Sequence, residues 1–229
     1  STLSAGYALW MMLFHNDKNI LVIATGKDTA KNLVTKVRVM YDGLPQWLKT
    51  NTEEINKLSL RFTNGSQIKA IASNESAGRS EALSLLIIDE AAFIDRIDTI
   101  WTAAQQTLAT GGGCIALSTP NGVGNWFHKQ WLGAEEGTNN FNTIRLHWTD
   151  HPDRDESWRK EQDKILGPSQ AAQECDTDFL SSGQSVVDPQ ILQWYKDELV
   201  ESPVEEVGVD KGMWVWRQPD YTKEYIVVA

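Results

Sequence analysis

The sequence predicts an α/β domain built on a mainly parallel sheet, and three features lead there. Two short apolar runs, 20–25 (ILVIAT) and 83–88 (LSLLII), are nearly uninterrupted, which suits strands covered on both faces rather than strands with one wet side. Each is followed by a stretch whose apolar residues return at helical spacing, and a third apolar run at 114–118 (CIALS) completes a β, α, β, α, β order. Chains with that order put helices on both faces of a parallel sheet.

Taken in order, residues 3–14 (LSAGYALWMMLF) are apolar nearly all round, as in a helix buried inside a domain, and they stop at the polar break His15-Asn16-Asp17-Lys18. After the strand at 20–25, Leu33, Val34, Val37 and Tyr41 mark a second helix from Asp28, ended by Gly43 and Pro45. Residues 58–62 and 67–73 flank Asn64-Gly65, a strong hairpin signal. Beyond the strand at 83–88 the pattern predicts a helix at 98–109, the strand at 114–118, a helix near 125–134 and a strand at 141–148. Helices follow at 156–166 and 169–175, while 181–189 and 202–212 read as linker and 225–229 (YIVVA) as the start of a strand. The tryptophans at 47, 101, 126, 131 and 194 fall in apolar, helical surroundings and read as core.

Composition narrows the class. The net charge of -10 is unevenly spread: residues 1–150 carry 13 basic against 14 acidic side chains, and residues 151–229 carry 8 against 17. The front part is near neutral and can hold local basic patches, whereas the back part repels a polyanion unless its acids are masked. Lys27, Lys31 and Arg38 share a face of the second helix and suit either DNA phosphates or plain solvent. Cys114 and Cys175 stand far apart with no ligand-spaced partner, which argues against zinc or a disulfide framework and fits a reducing cytoplasm. No apolar stretch approaches the length of a membrane span. Asp150-His151-Pro152-Asp153 reads as a turn.

The chemistry concentrates where strands end. In Leu85-Leu86-Ile87-Ile88-Asp89-Glu90 four apolar residues fix a strand in the sheet interior and two acids emerge at its carboxyl end, where open α/β sheets place ligands. This is a Walker B arrangement: Asp89 suits a magnesium ion with its water shell, and Glu90 suits the water that attacks a γ-phosphate. Taken alone, the same string also serves as a strand whose acids cap the next helix. Ser1-Thr2 opens the first helix where the hydroxyl after a phosphate-binding loop would stand, although Ser1 is equally an ordinary N-cap. Ser118-Thr119-Pro120-Asn121-Gly122 ends the third strand as either a γ-phosphate sensor or a simple Pro-Asn-Gly turn.

In sequence order, Ser1-Thr2, the Asn64-Gly65-Ser66 hairpin, Ala77-Gly78-Arg79-Ser80, Ile88-Asp89-Glu90-Ala91-Ala92-Phe93-Ile94 and Ser118-Thr119-Pro120-Asn121-Gly122 resemble the ATPase domain of tailed-phage terminase large subunits. That resemblance implies a RecA-like P-loop ATPase core over residues 1–150, a linker subdomain over 151–220, and the first strand of an RNase H-like nuclease domain over 221–229. It further implies ATP and Mg2+ as cofactors, bound through Ser1, Thr2 and Asp89, with Glu90 as the catalytic carboxylate. Ser118, Thr119, Pro120 and Asn121 would be the coupling motif. Arg79 would face the nucleotide or a neighbouring subunit, its alternative being a surface arginine in a Gly-Ser loop. The implied partners are double-stranded DNA, a portal protein, a small terminase subunit and further copies in a ring, in the infected host's cytoplasm and docked on the procapsid. The family's Walker A loop would precede Ser1 and its nuclease aspartate would follow Ala229, so the 229 residues by themselves are expected to lack both activities. Two other readings stay open on sequence: a DEAD-like helicase, and a non-catalytic scaffold that keeps the fold.

Overall fold

A computed structural model of the chain describes residues 1–73, 82–109, 111–180, 182, 191, 194–195, 198–199, 201–208, 213–218, 220 and 222. Arg79 with its Ala77-Gly78-Arg79-Ser80 string, the strand expected at 225–229 and most of the 181–189 linker lie outside the described residues.

The chain divides into two compact units, Ser1–Gln184 and Ser185–Ala229. In the first, α1 (Thr2–Phe14) leads to β1 (Asn19–Ala24) and α2 (Lys27–Asp42), and then to the antiparallel strands β2 (Thr52–Ile55), β3 (Ser59–Phe62) and β4 (Gln67–Ala72). β5 (Leu85–Asp89), α3 (Ile97–Leu108), β6 (Gly113–Leu117) and α4 (Trp126–Glu135) follow, and α5 (Glu156–Leu166) and α6 (Pro168–Ala171) close the unit. The sheet order is β2-β3-β4-β1-β5-β6, with β4, β1, β5 and β6 parallel and β2 and β3 antiparallel. The mainly parallel sheet predicted from sequence is therefore the observed architecture.

Alternation along the central strands builds two cores. Ile20, Val22 and Ala24 of β1 and Leu85 and Ile87 of β5 face Ala5, Ala8, Leu9 and Met12 of α1 and Leu33, Val34 and Val37 of α2. Leu21, Ile23, Leu86 and Ile88 face the other way, against Ile97, Ile100 and Ala104 of α3 and Trp126 and Phe127 of α4. Successive side chains of a strand point to opposite faces, so an unbroken apolar run is what a doubly covered strand needs. Each such buried aliphatic chain contributes about 1.5–3 kcal/mol of transfer free energy.

The Asn64-Gly65 turn forms as the hairpin signal predicts, with Gly65 at φ 80°. Its tip also ties down the far end of α1. Asn64 Nδ2 donates to Met12 O at 2.8 Å, and Ser66 Oγ donates to His15 O at 2.8 Å while accepting from Lys18 N–H at 3.2 Å. Ser66 is fully buried, and its small hydroxyl satisfies two backbone groups of the α1–β1 connection.

Several expectations are corrected. Residues 141–147 alternate like a strand but form none: no described strand pairs with them, and Ile144 and Leu146 remain 76% and 73% exposed. Alternation specifies a face, and without a neighbouring ladder that face has nothing to pack on. Residues 202–212 are not wholly linker, since β7 (Glu205–Val207) pairs antiparallel with β8 (Met213–Val215) in the second unit. Trp47 and Trp194 are not core: they are 82% and 53% exposed, Trp47 because it stands on a short 3-10 turn, Gln46–Leu48, with no buried residue. Trp126 is buried, against Trp101 and Phe141. Within the first unit, which runs to Gln184, Phe179 packs on Phe127, His128 and Trp131 of α4.

The Ser66 network generates a test. Ser66→Ala strands the Lys18 N–H and the His15 carbonyl, and equilibrium urea unfolding should show a loss of about 1–3 kcal/mol; unchanged stability would mean that the hydroxyl does not hold the α1–β1 connection.

Candidate active site

Because β4, β1, β5 and β6 are parallel, their carboxyl ends share one edge of the sheet. β5 lies between β1 and β6, with Ile88 opposite Ile23 and Asp89 opposite Leu117. This register brings the end of the acidic strand beside the start of the Ser118–Gly122 loop. Asp89 is the last strand residue and only 8% exposed. Glu90 turns the chain out of the sheet in the left-handed region, φ 57° and ψ 43°, into a 3-10 turn at Ala91–Phe93. A non-glycine residue in that conformation costs free energy, and such residues concentrate at functional sites.

Two hydrogen bonds fasten the two loops together at one residue. Ser118 Oγ accepts from Ala92 N–H at 3.1 Å, and Asn121 Nδ2 donates to Ala92 O at 3.2 Å. Gly122 N–H donates to Ser182 Oγ at 2.9 Å, and Asn125 caps α4 through the His128 N–H at 3.0 Å. Pro120, between these anchors, is buried. The loop is therefore a structured connection between β6 and α4. Thr119 Oγ1 points elsewhere, donating to Glu174 Oε1 at 3.4 Å.

Charge is unevenly matched here. Burial pushes the Asp89 carboxyl up, opposed by Lys36 and by a backbone hydrogen bond at Glu90. The Glu90 carboxyl is also pushed up, first by burial and then by Asp89 and Glu174. Lys36 of α2 donates from Nζ to Ser1 Oγ. Ser1 is the N-cap of α1 and Thr2 its exposed first residue.

The structure thus gathers Asp89, Glu90, Ser118, Thr119, Pro120 and Asn121 at one edge, and Ser1 is held by Lys36, which acts on Asp89. Lys36 and Glu174 belong to the same constellation and are not apparent from sequence. Lys36 looks like any exposed-face lysine of an amphipathic helix, and Glu174 is remote in sequence from both motifs. Among the described residues no three His, Cys, Asp or Glu side chains form a metal-holding group. Magnesium does not require one, being held by one or two carboxylates and substrate phosphates while it keeps its waters. Asp89, at the carboxyl end of a buried strand, offers one such carboxylate.

A parallel sheet with paired acids at its carboxyl edge, and a hydroxyl-bearing loop fastened beside them, defines the class of RecA-like ATPase folds. The comparisons with known proteins specify the family. The chain matches the family model "Terminase large subunit, T4likevirus-type, N-terminal" over residues 1–195, and so belongs to the terminase large subunits. It is 34% identical over 101 residues to "Probable terminase, large subunit gp28" of Escherichia phage Mu, an alignment covering 44% of this chain and 18% of that protein. Its fold is similar to the large terminase ATPase domain of Thermus phage P74-26, with a TM-score of 0.57 at 23% identity over 77% of this chain and 82% of that one. It is similar also to the large terminase of another thermophilic bacteriophage, solved in complex with ADP, with a TM-score of 0.59 at 13% identity over 77% of this chain and 44% of that one. The chain thus spans 18% of the length of the Mu relative. Family membership sets the helicase reading aside. Among the described residues no helix is long and apolar enough to cross a membrane.

The backbone at Glu90 generates a test. Glu90→Gly relieves a left-handed non-glycine residue and removes a partly buried carboxylate, so urea unfolding should show a gain of about 1 kcal/mol; a loss of stability would mean that the Glu90 side chain supports the fold.

Proposed function

We propose that this chain is the ATP-hydrolysing core of a viral DNA-packaging motor, and that Asp89 and Glu90 carry its chemistry. The observation that supports this most is their position: two adjacent acids at the end of a fully buried strand, with the Ser118–Asn121 loop fastened to Ala92 just beyond them. A scaffold that had lost catalysis would have no use for two carboxylates disfavoured by burial.

Asp89 and the Ser1 hydroxyl would hold magnesium, and Thr2 at the amino end of α1 would face the phosphates, where helix N–H groups favour anions. Magnesium, once bound with the triphosphate, supplies neutralisation of the charge that spreads over the transferring phosphoryl group. Glu90 accepts a hydrogen bond from the attacking water and holds it in line. Its raised proton affinity brings it closer to the range in which a carboxylate also takes a proton. Ser118, Thr119, Pro120 and Asn121 would pass the loss of the γ-phosphate into motion of the loop and of the elements it touches. Arg79 is retained as a candidate nucleotide or intersubunit contact.

The larger activity follows from the family. The large subunit containing this chain would translocate double-stranded DNA into the capsid, work as a ring of copies docked on a portal protein in the host cytoplasm, receive DNA with a small terminase subunit, and cut it with a nuclease domain.

Glu90→Gln in the large subunit that carries this chain tests the core assignment. Binding of Mg-ATP should persist within a few-fold while turnover falls by at least about 100-fold; undiminished turnover would remove Glu90 from the reaction.

A further inference from the structure

The fold brings to the site one carboxylate that neither motif contains. Glu174 lies in a single π-helical turn, Ala172–Asp176, and π turns recur at functional sites because they aim side chains that a regular helix would not. The turn is held firmly just after Glu174. Arg159 forks onto Asp176, Nε to Oδ1 at 2.8 Å and Nη2 to Oδ2 at 2.6 Å, and also reaches Asp163 Oδ1 at 2.5 Å. Arg145 donates to Asp176 O at 2.7 Å and to Thr177 Oγ1 at 2.6 Å, Cys175 is buried, and Thr177 closes the turn at φ 52°. Bidentate, charge-assisted contacts of this kind fix orientation as well as position.

Glu174 itself is treated differently from its neighbours. It is exposed, and among the described residues no lysine, arginine or histidine forms an ion pair with it. It accepts from Thr119 Oγ1 of the loop that leaves β6. The ion pairs that fix the turn thus also fix an exposed carboxylate at the Ser118–Asn121 loop.

We propose that Glu174 is a positioning residue for the hydrolytic site: through Thr119 it sets the Ser118–Asn121 loop against the strand end that carries Glu90, and the Arg159–Asp176 clamp sets Glu174. The hydroxyl–carboxylate contact is long at 3.4 Å, as such contacts commonly are before the site is filled, and it shortens when the loop closes on the triphosphate. Beside the packing of Phe179 on α4, the α5–α6 region thereby gains a polar link to the site. The inference rests on the function proposed above for its consequence in turnover, and on the loop geometry alone for its structural part.

The test combines two readouts on Glu174→Ala, Glu174→Gln and Thr119→Val in the large subunit that carries this chain. Amide hydrogen exchange of the peptide spanning residues 118–125 should accelerate in Glu174→Ala and Thr119→Val and stay at the parental rate in Glu174→Gln, whose amide oxygen still accepts the threonine hydroxyl. Steady-state ATP hydrolysis should show kcat lowered by about 10- to 100-fold in Glu174→Ala with KM within about twofold, substantial recovery in Glu174→Gln, and no further loss when Glu174→Ala is combined with Thr119→Val. Unchanged exchange in Glu174→Ala, or equal damage from alanine and glutamine, overturns the proposal. A parental subunit that hydrolyses no ATP contradicts the proposed function instead, and the exchange measurement still decides the role of Glu174.

Discussion

Ala92 is held on both sides of its backbone by the loop that leaves the neighbouring strand: its N–H by the Ser118 hydroxyl and its carbonyl by the Asn121 amide. Everything functional at this sheet edge depends on that double fastening. Glu90 lies two residues earlier, in a left-handed conformation that a carboxylate-bearing residue adopts only under constraint. Releasing Ala92 would part the turn that aims Glu90 from the β6 loop, leaving it to its own backbone bond and the burial of Ala91 and Ile94.

The energetic division follows from this. The two cores on either face of β1 and β5 supply the stability, through aliphatic side chains that have lost nearly all contact with water. The site draws on that stability: Asp89 and Glu90 carry carboxyls whose ionised forms burial disfavours, and Lys36 only partly offsets the cost at Asp89. A chain selected for folding alone would have placed neutral residues at the end of β5. Rigid strands behind a strained, polar edge suit a motor, because a change in bound charge is felt at the edge without disturbing the packing.

Most of the scaffold was legible in the sequence because its signals are local. The uninterrupted run at 20–25, the helical spacing of Leu33, Val34 and Val37, and the Asn64-Gly65 turn each carry their structure within a few residues. So do Asp89 and Glu90, whose place at a strand end follows from the four apolar residues before them. The segment at 141–147 shows where local pattern fails, since alternation describes a face and a strand exists only with a partner. Lys36 and Glu174 show a second limit. Neither has a neighbour in sequence to betray it: one reaches Ser1 from another helix, and the other reaches Thr119 from a π turn that no periodicity announces. The bond between Arg159 and Asp176 that fixes this turn is likewise a product of topology.

The central claim is that the carboxyl end of β5 receives a divalent ion together with a nucleoside triphosphate. Anomalous diffraction from crystals of the large subunit grown with Mn2+ and a non-hydrolysable ATP analogue tests it most directly. The account requires an anomalous peak beside the Asp89 carboxylate, with the triphosphate between the amino end of α1 and the loop at Thr119. A metal and triphosphate bound away from this edge, with Asp89 and Glu90 facing neither, would contradict it.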